Sequence, residues 1–144
     1  MSIKNESVDQ NRLDWVLLFI RVVLAVVFVA HGSQKLFGAF GGPGLAGTVQ
    51  FMGPIGYLVS IGEFFGGLGL LVGILPRFSA AALTVIMLGA IATVHGKNGF
   101  FLPTGFEYTF ALIGLTVPMV VLGPGRLTVA KMLPEKASSQ VVTQ

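Results

Sequence analysis

The residues of this sequence best placed to do chemistry are two charges inside hydrophobic runs, Arg21 and Glu63, and two imidazoles near the ends of such runs, His31 and His95. A charge among apolar residues of that length is expensive, so it marks either a functional group or a specific internal partner. At the helical rise, Arg21 lies about 10 Å above Asp14 and Glu63 about 18 Å above Leu75, a gap that two long side chains can close. The expectation is therefore an Arg21–Glu63 ion pair that fixes the packing of two helices, with proton or ligand chemistry at Glu63 as the alternative. His31 and His95 each fall about 25 Å from the same edge. With Lys35, Lys97, Asn98 and Glu107 close to them in sequence, they outline a polar mouth on an apolar bundle, where ligand sites between helices are commonly built. His31, His95, Glu63 and Glu107 are the candidate proton-handling groups. The candidate ligand contacts are His31, Lys35, Glu63, His95, Asn98 and Glu107. The plainer reading of either histidine is an interfacial side chain that caps a helix end and meets lipid headgroups.

What must position these groups follows from composition. Of 144 residues, 53% are hydrophobic and 10% charged, against about 25% charged in soluble domains. With a mean hydropathy of +0.85, this excludes a water-soluble globule and a disordered chain and points to an integral membrane protein. The net charge of +3 is too small and too scattered for nucleic-acid binding. The sequence has no Cys, which excludes disulfides, thiol exchange and thiolate-held iron–sulfur clusters in this chain. No spacing suggests a metal site, and two histidines without a further haem signature argue against a bis-His haem. Gly42-Pro43-Gly44-Leu45-Ala46-Gly47 fits G-x-G-x-x-G, but the strand and βαβ unit that give this motif its meaning are absent.

Four apolar segments approach the length of a span, at residues 15–37, 55–75, 78–94 and 107–122. The expected fold is an all-α membrane protein, a bundle of four transmembrane helices. Pro118 should kink the last unless neighbours satisfy the freed carbonyl. Lys4, Arg12, Arg77, Arg126, Lys131 and Lys136 fall on one side, and Lys35 and Lys97 on the other. This bias puts both termini in the cytoplasm. The organisation is then a cytoplasmic segment at 1–14, a membrane domain at 15–126 and a cytoplasmic tail at 127–144. Glu6, Asp9 and Asp14 in the leader do not make the basic region of a signal peptide, so the first span is expected to stay. Pro76 and Arg77 form the tight inner turn, and a short interfacial helix from Leu45 to Met52 follows the glycine-rich outer loop. In the second span Gly62, Gly66, Gly69 and Gly73 fall within about 60° of one another on a helix. Such a stripe suits close packing, either inside the bundle or in a homodimer.

Three blocks resemble the DoxX family of small four-span membrane proteins. They are His31-Gly32-Ser33-Gln34-Lys35-Leu36-Phe37-Gly38 with Gly41-Gly42-Pro43-Gly44, then Glu63 with Gly66-Gly67, Leu70-Leu71, Gly73 and Arg77. The third runs from Ala90-Ile91, Thr93-Val94-His95 and Asn98-Gly99-Phe100 into Gly105-Phe106-Glu107-Tyr108, with Gly123-Pro124-Gly125-Arg126 closing the last span. The resemblance implies a four-helix bundle associated with respiratory and sulfur or thiol redox systems, in a bacterial-type cytoplasmic (inner) membrane. It does not imply one reaction. The usual Ser and Asp after the last block are replaced here by Thr128 and Ala130.

The leading functional expectation is a membrane subunit of a redox complex whose polar mouth binds a quinone or similar apolar redox molecule. The site needs an apolar slot for ring and tail, hydrogen-bond donors at the oxygens and a relay for protons. With no flavin or metal motif in the sequence, a partner protein should supply electrons. Whether the chain is an enzyme by itself is left open. One alternative is a small proton-coupled transporter titrating at Glu63, and another a scaffold that anchors soluble partners through its tail.

Overall fold

A computed structural model describes residues 3–129 of the chain. Most of the expected tail, from residue 130 on and including Ala130, Lys131 and Lys136, lies outside the described residues, as do residues 1–2. Regular structure among the described residues is helical throughout: α1 (Ile3–Phe37), α2 (Gly44–Met52), α3 (Ile55–Val72), α4 (Pro76–Ala90) and α5 (Glu107–Leu122). A π turn at Ile91–His95 and a 3-10 turn at Gly96–Asn98 prolong α4. By length and composition three stretches can cross a membrane, Asp9–Phe37, Ile55–Val72 and Pro76–Asn98, while α5 is apolar but shorter.

Local chemistry sets the boundaries. The second span stops at Val72 rather than Leu75, because Gly73 takes a left-handed conformation and its N–H, with that of Ile74, closes on the Gly69 carbonyl. Pro76 and Arg77 are then not a connector but the first turn of α4, where a proline loses no helical hydrogen bond. The helix expected at Leu45–Met52 is α2. α5 runs unbroken through Pro118.

The helices are antiparallel in sequence order and ring the core as α1, α3, α4, α5, with α2 lying on α1 and α3. Leu24 and Phe28 of α1, Leu70 of α3, Leu83 of α4 and Met119 of α5 meet at the centre. Outside, Phe19, Val26, Phe65, Val85, Phe110 and Val121 are all more than half exposed, as lipid-facing side chains must be. Against lipid, apolar contact between helices gains little, so close approach and polar links carry the packing. A Cβ on Gly32 would stand 2.5 Å from the Phe64 backbone nitrogen, and one on Gly67 3.0 Å from that of Val29. These two glycines set the register of α1 against α3. The Gly stripe faces α4 of the same chain: Gly62 meets Ile86, Gly66 meets Leu83 and Gly69 meets Ser79, while Gly73 meets Thr128 and Arg21. Between α4 and α5 the hydroxyls of Thr84 and Thr116 are hydrogen-bonded at 2.8 Å.

The turn of α1 around Asp14 and the segment after α5 meet at one end of the bundle. There the Arg126 backbone N–H and Nε donate to the Asp14 carboxylate at 2.9 and 2.5 Å. The polar groups of interest lie at the opposite, distal end.

Candidate functional site

The distal end encloses a cavity of about 1110 Å³. Helical spacing puts Phe28, His31 and Lys35 on one face of α1, and this face forms one wall; Val59, Gly62 and Glu63 of α3 form the next. Met87 of α4 and Leu112 of α5 also line it, and Pro43 and Leu102 bring the two loops to its distal side. The π turn matters because it widens the last turn of α4 just where Thr93, Val94 and His95 enter the wall.

The principal polar contact in this wall is an ion pair between Lys35 Nζ and Glu63 Oε2, 2.5 Å apart. Glu63 is 4% exposed, so Lys35 is the partner that compensates a buried carboxylate. His31 stacks obliquely on Tyr108, ring centres 6.1 Å apart. His95 Nδ1 lies 3.1 Å from the Thr104 carbonyl. A carbonyl only accepts, so Nδ1 carries the hydrogen, and a neutral ring then holds its lone pair on Nε2.

The expected Arg21–Glu63 pair is not formed. With Gly32 on Phe64 and Gly67 on Val29, Glu63 stands opposite residue 33 of α1, twelve positions or about 18 Å beyond Arg21. Glu63 takes Lys35 instead. Arg21, 1% exposed, reaches the end of α3 and the segment after α5. Its Nε donates to the Leu70 carbonyl at 2.8 Å and Nη2 to Leu71 at 3.0 Å, while Nη1 donates to Pro124 at 3.1 Å and Leu127 at 2.7 Å. Those α3 carbonyls have no helical partner, and the negative end of the α3 dipole favours a cation there. The guanidinium is thus a cap joining three chain segments.

Of the candidate contacts, His31, Lys35, Glu63 and His95 share the cavity; Asn98 and Glu107 do not line it. Asn98 Nδ2 donates to the carbonyls of Val94 and Thr104, and Glu107 Oε1 accepts the Leu102 N–H at 2.9 Å. Both stitch the loop ahead of α5: the Asn98 amide ties the end of the π turn to Thr104, and the Glu107 carboxylate, in the first turn of α5, faces the amides leading into it. Gln34, Thr48, Tyr108 and Thr109 also line the cavity; the first three were missed. Gln34 was recoverable, since it lies three residues from His31 on the same helical face. Among the described residues no group of three or more His, Asp or Glu is arranged to hold a metal ion. The arrangement offers a large apolar volume with a few convergent hydrogen-bonding groups, the usual build of a small-molecule site.

Fold and cavity together define a small helical membrane protein with a ligand-sized chamber among its helices. The DoxX family model matches residues 16–96, and the chain belongs to the DoxX family. It is 30% identical over 104 residues to a Bacillus subtilis protein named "Putative oxidoreductase CatD", covering 68% of this chain and 73% of that one. It is also 30% identical over 103 residues to an uncharacterized Haemophilus influenzae protein, covering 67% and 73% of the two chains. No solved structure matches it.

Proposed function

We propose that this DoxX-family membrane protein is a subunit of a membrane redox complex and that its distal cavity binds a quinone or similar apolar redox molecule. The observation that carries the reading is the cavity of about 1110 Å³, apolar over most of its wall, into which Lys35, Glu63, His31 and His95 converge. Lys35 is the hydrogen-bond donor for a ligand oxygen, and Glu63 holds its ammonium in place. His95 Nε2 and His31 are the groups able to take or give a proton there. A bound quinone would supply the two-electron redox chemistry, with electrons coming from a partner protein. The CatD name, which speaks of an oxidoreductase, supports the redox setting.

On this reading the chain crosses a bacterial-type inner membrane four times, α5 included, with residues 1–14 and 127–144 in the cytoplasm and the cavity towards the other face. A homodimer would use a face other than the Gly stripe, because α4 covers it. The test is gentle extraction from native membranes followed by mass spectrometry of the bound small molecules. Quinone should co-purify with the wild type and be lost from Glu63→Gln and His31→Ala variants that still fold. Folded wild-type protein free of quinone would refute the reading.

A further inference from the structure

The cavity has an open flank where α3 and α4 part. Toward the middle of the bundle the seam is shut: a Cβ on Gly62 would stand 2.7 Å from Ile86 Cδ1, and one on Gly66 3.1 Å from Leu83. One turn further toward the distal end, nothing lies within 4 Å of a Cβ on Gly89, although Gly89 lines the cavity. Leu58 and Val85 line it too, yet each is 67% exposed. These side chains therefore have one flank on the chamber and the other on the apolar outside of the bundle. Ile55 and Phe51 continue the same rim, 53% and 77% exposed. Leu58, Val85, Ile55 and Phe51 carry no polar side-chain atom, and the exposed hydroxyl of Thr93, one turn beyond Gly89, donates to the Gly89 carbonyl at 2.8 Å, whereas Glu63, deeper in, is 4% exposed. Polarity thus falls from the buried interior to a mouth that opens through the side of the bundle.

We infer that this seam is a lateral port: the site takes an amphiphile from the lipid phase, its polar head beside Lys35 and Glu63 and its apolar tail leaving between α3 and α4 over Gly89. The inference rests on the quinone reading and narrows it to tailed molecules. At a helix seam, the side-chain space a glycine leaves can be taken up by a neighbouring group. Gly62 and Gly66 spend theirs on α4 contacts; at Gly89 no protein atom fills it. An apolar rim of this kind marks a place where an apolar partner passes or docks, and a lipid chain is the partner a bilayer supplies.

The experiment compares a tailless benzoquinone with the same ring carrying a decyl chain, by equilibrium binding to the purified full chain in lipid nanodiscs. Gly89→Trp puts an indole into the open seam. It should weaken the decyl compound by about tenfold or more and leave the tailless ring within about twofold, because each methylene denied burial lowers affinity. If Gly89→Trp does not fold, Val85→Trp on the same rim replaces it, with the same result expected. Equal loss of both compounds, no loss of either, or a change of oligomeric state without discrimination between them would overturn the port. A wild type that binds neither compound overturns the quinone reading itself, and the port with it.

Discussion

Lys35 Nζ sits 2.5 Å from Glu63 Oε2, and this bond ties α1 to α3 in the wall of the cavity. Glu63 is thereby held by the helix that also carries His31, four residues or about one turn away. The two charges neutralise each other locally, so the chamber can hold a neutral ligand without a buried net charge. Lys35, with a side chain 23% exposed against 5% for Glu63, is the member of the pair better placed to turn toward an incoming oxygen.

The pair should reveal itself as a coupling. Lys35→Met and Glu63→Gln each leave one polar partner stranded and should cost about 2 kcal/mol, less than a fully buried pair because Lys35 is partly solvated. Lys35→Met combined with Glu63→Gln removes both charges and should unfold at a higher temperature than either single variant, while still failing to bind quinone. Thermal unfolding in detergent with parallel binding measurements checks both. Additive losses would mean that the two residues do not share an interaction.

Arg21 makes a separate, purely architectural prediction. Lysine at this position has three donors for four carbonyls and no planar fork. Arg21→Lys should therefore lower stability by about 2 to 4 kcal/mol, and Arg21→Met by at least as much. The effect should add to that of Glu63→Gln within about 0.5 kcal/mol, since the groups share no partner. A strong coupling in the double variant would instead restore the Arg21–Glu63 pair.

The contrast between these residues shows what a single sequence makes legible. Apolar runs reveal the helices, because span length and hydropathy are local quantities. They also bring His31 and His95 to one end, because depth along a helix needs only counting. The partner of Glu63 is not local. It depends on the offset between α1 and α3, which Gly32 and Gly67 set through backbone contact, and neither glycine stood out beside the more conspicuous stripe at Gly62, Gly66, Gly69 and Gly73. Asn98 and Glu107 lie outside the cavity wall for a related reason. Being near a site in sequence says nothing about which way a loop side chain turns, and theirs turn to backbone groups of the segment between α4 and α5. The π turn before His95 leaves no sequence pattern that would reveal it.

Those glycines can be ranked by experiment. Gly32→Ala forces a methyl into the Phe64 backbone and should cost about 2 kcal/mol or more, or prevent folding. Gly114 is exposed in α5 with nothing within 4 Å of a Cβ, so Gly114→Ala should gain about 0.5 to 1 kcal/mol from helix propensity alone. Melting temperatures of the two variants in one detergent should move in opposite directions. Equal behaviour would mean that α1 and α3 are not in backbone contact at Gly32.

The fourth crossing is the most exposed part of the proposed topology. α5 has 16 residues, which rise about 24 Å against a hydrocarbon core of about 30 Å. Its start is tied to the distal loop by Glu107, and the segment after it is tied to Asp14 and Arg21 at the other end. If α1 crosses, α5 must then cross beside it, with thinning of the bilayer or its flanking segments making up the mismatch. Because the chain has no Cys, single-cysteine variants report without background. Cysteines at Phe40 and Lys97 should react with a membrane-impermeant maleimide in intact cells. Cysteines at Lys4 and Lys136 should react only after the membrane is opened. Labelling of Lys97→Cys and Lys136→Cys from the same side would remove the fourth crossing.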